Sequence, residues 1–69
     1  RNFEKAVPYF ENLVNYYPME IGKYHAYLGV CFLEIKDLEN SWKHYEIAQK
    51  IIPDNRNIVH LGYILESMR

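Results

Sequence analysis

Cysteine is almost missing from this chain. Cys31 is the one cysteine in 69 residues, so no disulfide can form within it, and a secreted mini-protein held by bridges is excluded. Glycine and proline are scarce, three of each, and the glycines are too scattered to cradle a phosphate. Charge of neither sign predominates: 8 basic and 9 acidic residues give a net charge of −1. Phosphate binding needs a basic stripe, so nucleic acid is not an expected partner. No apolar run approaches the roughly 20 residues needed to cross a bilayer, and no membrane partner is expected. The chain opens on Arg1 rather than a methionine, which suggests a piece of a longer protein. The compartment is left open, with a cytoplasmic one favoured.

What is present is helical periodicity. Four stretches carry apolar residues at spacings of three and four, which places them on shared helix faces. The first runs from about Asn2 to Tyr17, with Asn2 as N-cap and Phe3, Ala6, Val7, Phe10, Leu13, Val14 and Tyr17 on one side. Pro8 conflicts with it, so the regular helix should start near Val7 or bend there. Pro18 ends it. The second runs from about Ile21 to Ile35 and is apolar on two sides, one of them Tyr24, Tyr27, Leu28, Cys31, Phe32 and Ile35. Gly29 costs about 1 kcal/mol relative to alanine in mid-helix, which a close approach by a neighbouring helix would justify. Lys36-Asp37 reads as a tight turn in which Asp37 caps the third helix; if the turn needs a left-handed residue, Lys36 bears a strain that glycine would avoid. That helix runs from about Leu38 to Ile52 and is closed by Pro53. The fourth runs from about Asn57 to Met68.

Two internal echoes suggest the architecture. Ala6, Phe10 and Pro18 recur as Ser41, Tyr45 and Pro53, an offset of 35, while Leu28-Gly29 recurs as Leu61-Gly62, an offset of 33. A period near 34 in paired helices, with Leu-Gly, a later aromatic and a closing proline, resembles the tetratricopeptide (TPR) repeat. Leu28, Gly29, Phe32, Asp37, Leu38, Tyr45, Ala48 and Pro53 fall on the family's positions. His25 replaces its tryptophan, Ser41 its alanine, Lys36 its turn glycine, and Ile58 and Leu65 its aromatics. The resemblance implies an all-α fold of antiparallel helix pairs stacked as a right-handed solenoid. Residues 1–18 would be the second helix of one repeat, 22–55 a complete repeat, and 56–69 the first helix of the next. Apolar faces left at both ends would then favour self-association or neighbouring repeats of the same chain.

The resemblance further implies a non-catalytic module that binds a peptide or helix of a protein partner in a concave groove. The groove would be lined by two rows: Lys23, Ala26, Val30, Leu33 and Glu34 on the second helix, and Arg56, Val59, Tyr63 and Glu66 on the fourth. Apolar centres with charged ends suit such a ligand. A carboxylate clamp of the kind some family members carry is not expected, because Tyr27 and His60 stand where it would want an asparagine and a basic residue. The alternatives are self-assembly through the end helices, giving a homo-oligomer, and an RNA-processing helical repeat. No enzyme, cofactor or metal site is expected. His25, His44 and His60 lie on three different helices without local pairing, and read as ordinary surface or packing histidines. Cys31 reads as a small core residue. Tyr24, Tyr27, Trp42 and Tyr45 read as packing, leaving Tyr9, Tyr16 and Tyr63 freer to meet a partner.

Overall fold

The computed structural model of the chain describes residues 2–68, except the side chain of residue 18; Arg1 and Arg69, the outermost residues of the two expected half-repeats, lie outside it. Among the described residues the fold is all-α, with four helices: α1 (Phe3–Tyr16), α2 (Ile21–Glu34), α3 (Leu38–Ile51) and α4 (Arg56–Ser67). None is long and apolar enough to cross a membrane. α1 packs on α2, α2 on α3, and α4 on both α3 and α2. The boundaries expected from the pattern hold to within a residue at each end. α1 is continuous across Pro8, which is exposed on the solvent side, where water can take up the carbonyl its missing N–H leaves free.

Three of the four helix starts, those of α1, α3 and α4, are capped by a side chain. Asn2 Oδ1 accepts from the Lys5 amide at 3.1 Å and Asp37 Oδ1 from the Asn40 amide at 3.2 Å. Asn55 Oδ1 accepts from the amides of Asn57 and Ile58. These bonds satisfy donors that a helix leaves unpaired in its first turn. Between α2 and α3 the chain reverses through Lys36, whose φ is +69°. The Asp37 amide donates to the Phe32 carbonyl at 2.8 Å and the Lys36 amide to that of Leu33 at 3.1 Å. This is a Schellman motif with lysine in the place glycine usually takes. Asp37 thus closes one helix and caps the next.

The core lies where α2, α3 and α4 meet. Ala26, Ala48 and Ile58 form its central cluster, with Tyr45 and Ile52 packed against it. Leu28, Leu61 and Leu65 are also buried. Gly29 is a point of close approach between helices. A Cβ there would lie 2.7 Å from Leu61 Cδ2, 3.6 Å from the Ser41 carbonyl oxygen and 3.7 Å from the Tyr45 amide nitrogen. Ser41, fully buried, donates its hydroxyl to the Gly29 carbonyl at 2.7 Å. A polar group with no access to water is tolerated here because it is paired. Ser41 therefore ties α3 to the backbone of α2.

The caps and ends of α1 recur in α3 with a period of 35, although the N-caps that follow, Glu20 and Asn55, differ in backbone conformation. Asn2 and Asp37 are matched N-caps, and α1 and α3 start and end 35 residues apart. Tyr17 ends α1 at φ −132°, ψ 71°, and Ile52 ends α3 at φ −130°, ψ 64°. Their amides bond the carbonyls of Leu13 and Ala48, both at 2.8 Å. Three residues beyond, the Glu20 amide bonds the Tyr17 carbonyl and the Asn55 amide that of Ile52. α2 and α4 then begin at Ile21 and Arg56, again 35 apart.

Packing follows the same period. The Phe10 ring on α1 lies 6.3 Å from that of Tyr24 and 5.1 Å from that of Tyr27 on α2. Tyr45 on α3 meets Gly62 on α4 and borders one depression with Val59, the residues 35 further on. This corrects the alignment drawn from the Leu-Gly echo. Gly62 is the counterpart of Tyr27, not of Gly29. The two-residue discrepancy turns the Leu61-Gly62 face about 200° around the helix axis from the place the echo assigns it. Where α2 presents the Tyr27 ring to Phe10, α4 presents bare backbone, and the Tyr45 ring lies over it.

Two substitutions test this fold. Lys36→Gly should relieve left-handed strain worth about 1–2 kcal/mol, less the greater freedom glycine gives the unfolded chain. A net gain of about 0.5–1 kcal/mol should appear in equilibrium urea unfolding. Gly29→Leu should wedge α2 away from α3 and Leu61, with a loss of about 2 kcal/mol or more in the same experiment.

Candidate functional site

The nine expected groove residues do not form one surface. Val30 and Leu33, both half-buried, and exposed Glu34 line a cavity of about 250 Å³ between α2 and α4. Its far wall is Asn57, His60, Leu61 and Ile64. The α4 row expected there lies elsewhere. Val59, Tyr63 and Glu66 border a separate depression on the α3 side, with Tyr45, Gln49 and Pro53. Ala26 is 2% exposed, packed in the central cluster with Ala48 and Ile58, and has no surface to offer a partner. Lys23 and Arg56 are exposed and line neither cavity.

The reason is the geometry of stacked like helices. The face by which one helix meets the next is not the face by which the next meets it. The forward face of α2 carries Ala26, Val30 and Leu33, so the opposing wall is the rear face of α4. That rear face was legible as Asn57, His60, Leu61 and Ile64, spaced 3, 1 and 3, which is one helical stripe. The α2–α4 cavity is therefore apolar at its centre, with Glu34 on one rim and Asn57 and His60 on the other.

The structure also brings together a pair that sequence spacing hides. His25 Nδ1 and His44 Nδ1 are 2.8 Å apart, within hydrogen-bond distance, and the rings stack at 5.0 Å with 22° between their planes. Phe32 stacks on the outer face of His44 at 5.4 Å and 7°. Glu11 and Asn15 of α1 share a cavity with the two rings. The histidines are 19 residues apart but lie on either side of the Lys36 turn, 11 residues before it and 8 after, and the antiparallel hairpin brings them together. With both rings neutral, one must carry its proton on Nδ1 and the other must accept there. Burial lowers the His25 pKa. It also lowers that of His44, with the facing His25 and the adjacent Lys43 adding to the effect. No group of three His, Cys, Asp or Glu side chains that could hold a metal ion occurs among the described residues. The pair can therefore share one proton, but by itself gives a metal two ligands at most. Cys31 is buried; burial pushes its thiol pKa up and the Glu34 carboxylate adds to the rise. That holds it in the unreactive thiol form.

Comparison of the chain with protein-family models, curated proteins and solved structures finds no match in any of the three.

The histidine pair makes stability depend on pH. Both folded-state pKa values lie below the ordinary histidine value near 6.5, so the unfolded chain binds protons first as pH falls. Stability should be insensitive to this pair above about pH 7, then fall as pH drops through 6.5 towards the lowered values. Urea unfolding of the parent chain and of a His25→Gln, His44→Gln variant, from pH 7.5 to pH 5, checks this. The variant's stability should fall less over that range; equal losses in both would count against the pair.

Proposed function

We propose that the chain is a non-catalytic protein–protein interaction module, built as a segment of a TPR-like solenoid, that takes an amphipathic helix or extended peptide between α2 and α4. The observation that carries this reading is the α2–α4 cavity. Val30, Leu33, Leu61 and Ile64 give it an apolar floor, and Glu34, Asn57 and His60 give it polar rims. An apolar centre with a polar edge is how helices and peptides are gripped in grooves. The 35-residue recurrence of the α1 cap and end in α3 supports the solenoid part, because stacked repeats reuse such ends. Glu34 on the rim favours a ligand with a basic residue beside its apolar anchor.

Selection from a displayed peptide library against the folded chain tests the reading. Enriched peptides should carry apolar residues at spacings of three or four, or at alternate positions, flanked by lysine or arginine. Leu33→Glu should weaken their binding at least tenfold, while Tyr9→Gln on α1 leaves it unchanged. Peptides whose binding ignores Leu33→Glu would place the ligand elsewhere and contradict the proposal.

A further inference from the structure

We infer that the His25–His44 contact is a two-proton gate on the α2–α4 cavity. With one added proton the contact holds and the cavity keeps its shape. A second parts α3 from α2, and α4 leaves α2 with it. The inference concerns regulation of the proposed binding site; its consequence for a ligand rests on that reading, and its structural test does not.

Proton counting carries the argument. A neutral imidazole holds a proton on one ring nitrogen and a lone pair on the other. The two Nδ1 atoms, 2.8 Å apart, therefore share one proton as a hydrogen bond. One added proton can sit on an Nε2 and leave that bond in place. The next leaves no lone pair at either Nδ1, so two N–H donors and two positive charges face each other. Phe32, stacked on His44 at 5.4 Å, hinders the ring from turning aside, and the repulsion falls on the helices. Of the elements around the pair, α1 puts the Glu11 carboxylate and the uncharged Asn15 in the same cavity, and α3 puts the Lys43 ammonium near His44. Among the described residues α4 lines no part of that cavity. One carboxylate offsets one added charge; with burial and Lys43 opposing, the second is uncompensated.

The contact is wired to the cavity through two residues. Tyr45 follows His44, and its ring lies over Gly62, so α4 is held by α3. Leu61 of α4, a wall residue of the α2–α4 cavity, rests against α2 at Gly29. Gly29 is one helical turn beyond His25 on the same face. When α3 draws away from α2 at the histidines, α4 follows Tyr45 and Leu61 leaves its seat at Gly29. The Ser41–Gly29 bond opposes this motion. The Lys36-Asp37 turn holds the far end of the hairpin, so it opens there as a hinge with the helices intact.

NMR of the folded 69-residue chain from pH 7.5 to pH 5, with helicity followed by circular dichroism, tests the gate. The His25 and His44 ring protons should titrate in two separate steps. The methyl signals of Val30, Leu61 and Ile64 should move with the second step at constant helicity, as the Leu61–Gly29 cross-peaks fade. His60 stands on the rim of the same cavity, so the titration is repeated on His60→Gln, which should keep the response. His25→Gln with His44→Gln should abolish it. Glu11→Gln, at an exposed position, should leave the fold at pH 7.5 unchanged and shift the second step to lower pH. It serves as the test if the double variant does not fold. A peptide selected for the cavity should lose up to about tenfold in affinity per pH unit below the second step, the slope of one linked proton. Methyl signals that follow the first step, move only as helicity is lost, persist in the double variant, vanish in His60→Gln or ignore Glu11→Gln would each overturn the gate. If no peptide binds at pH 7.5, the proposed function fails instead, and the methyl signals still decide the gate.

Discussion

The backbone turns that end α1 at Tyr17 and α3 at Ile52 set the phase of everything downstream, because a helix carries its starting orientation through its whole length. A proline comes directly after each of these residues and keeps it out of the helical region. The two ends share φ and ψ to within 7° and bond the same carbonyls in register. The next helix begins four residues after each of these ends, at Ile21 and at Arg56. At about 100° per residue, a motif displaced by two positions faces nearly the opposite way. Leu61-Gly62 is such a motif. It looks like Leu28-Gly29 and points elsewhere, and Gly62 becomes the seat for Tyr45 instead of a close approach to a later helix.

Within that frame the α2–α3 hairpin holds the molecule together. Three features lock it at successive heights. The Lys36-Asp37 turn closes one end and the Ser41–Gly29 bond fixes the middle. Beyond it His25 and His44 meet, with Phe32 stacked on His44. A chain of this size has little apolar core to rely on, roughly 3–5 kcal/mol of net stability from a single small core. The left-handed lysine and the stacked histidines each withdraw some of that margin, the first at all pH values and the second as the pH falls. Close packing at Gly29 works the other way, since it lets Leu61 reach across from α4 and join three helices at one point.

Much of the fold was legible in the sequence because it rests on local chemistry. Asn2, Asp37 and Asn55 announce helix starts, residues 18 and 53 announce stops, and the spacing of Phe10, Leu13 and Val14 fixes a face. Lys36 showed as a strained turn because no glycine stood where one was wanted. Gly29 showed as a close approach because its cost needed a reason. The candidate site was less legible, for two physical reasons. Ala26 reads as a groove residue from its helix face, but burial is decided by what stacks on that face, which no single helix encodes. The α4 row of Arg56, Val59, Tyr63 and Glu66 was placed by a motif match, whereas the turn sets the true register. The His25–His44 contact was hidden because spacing along a chain says nothing about pairing across a hairpin until the turn is located.

The most direct test of this account is the set of short proton–proton distances around the Tyr45 ring, read from nuclear Overhauser effects on the folded chain. If the turn sets the phase of α4, the ring protons should show cross-peaks to the Gly62 α-protons and the Val59 methyl groups, as those of Phe10 should to the rings of Tyr24 and Tyr27. If the Leu-Gly motif sets it, the Tyr45 ring would instead show cross-peaks to Asn57 and His60. That result would contradict the 35-residue period and the division of the groove walls together.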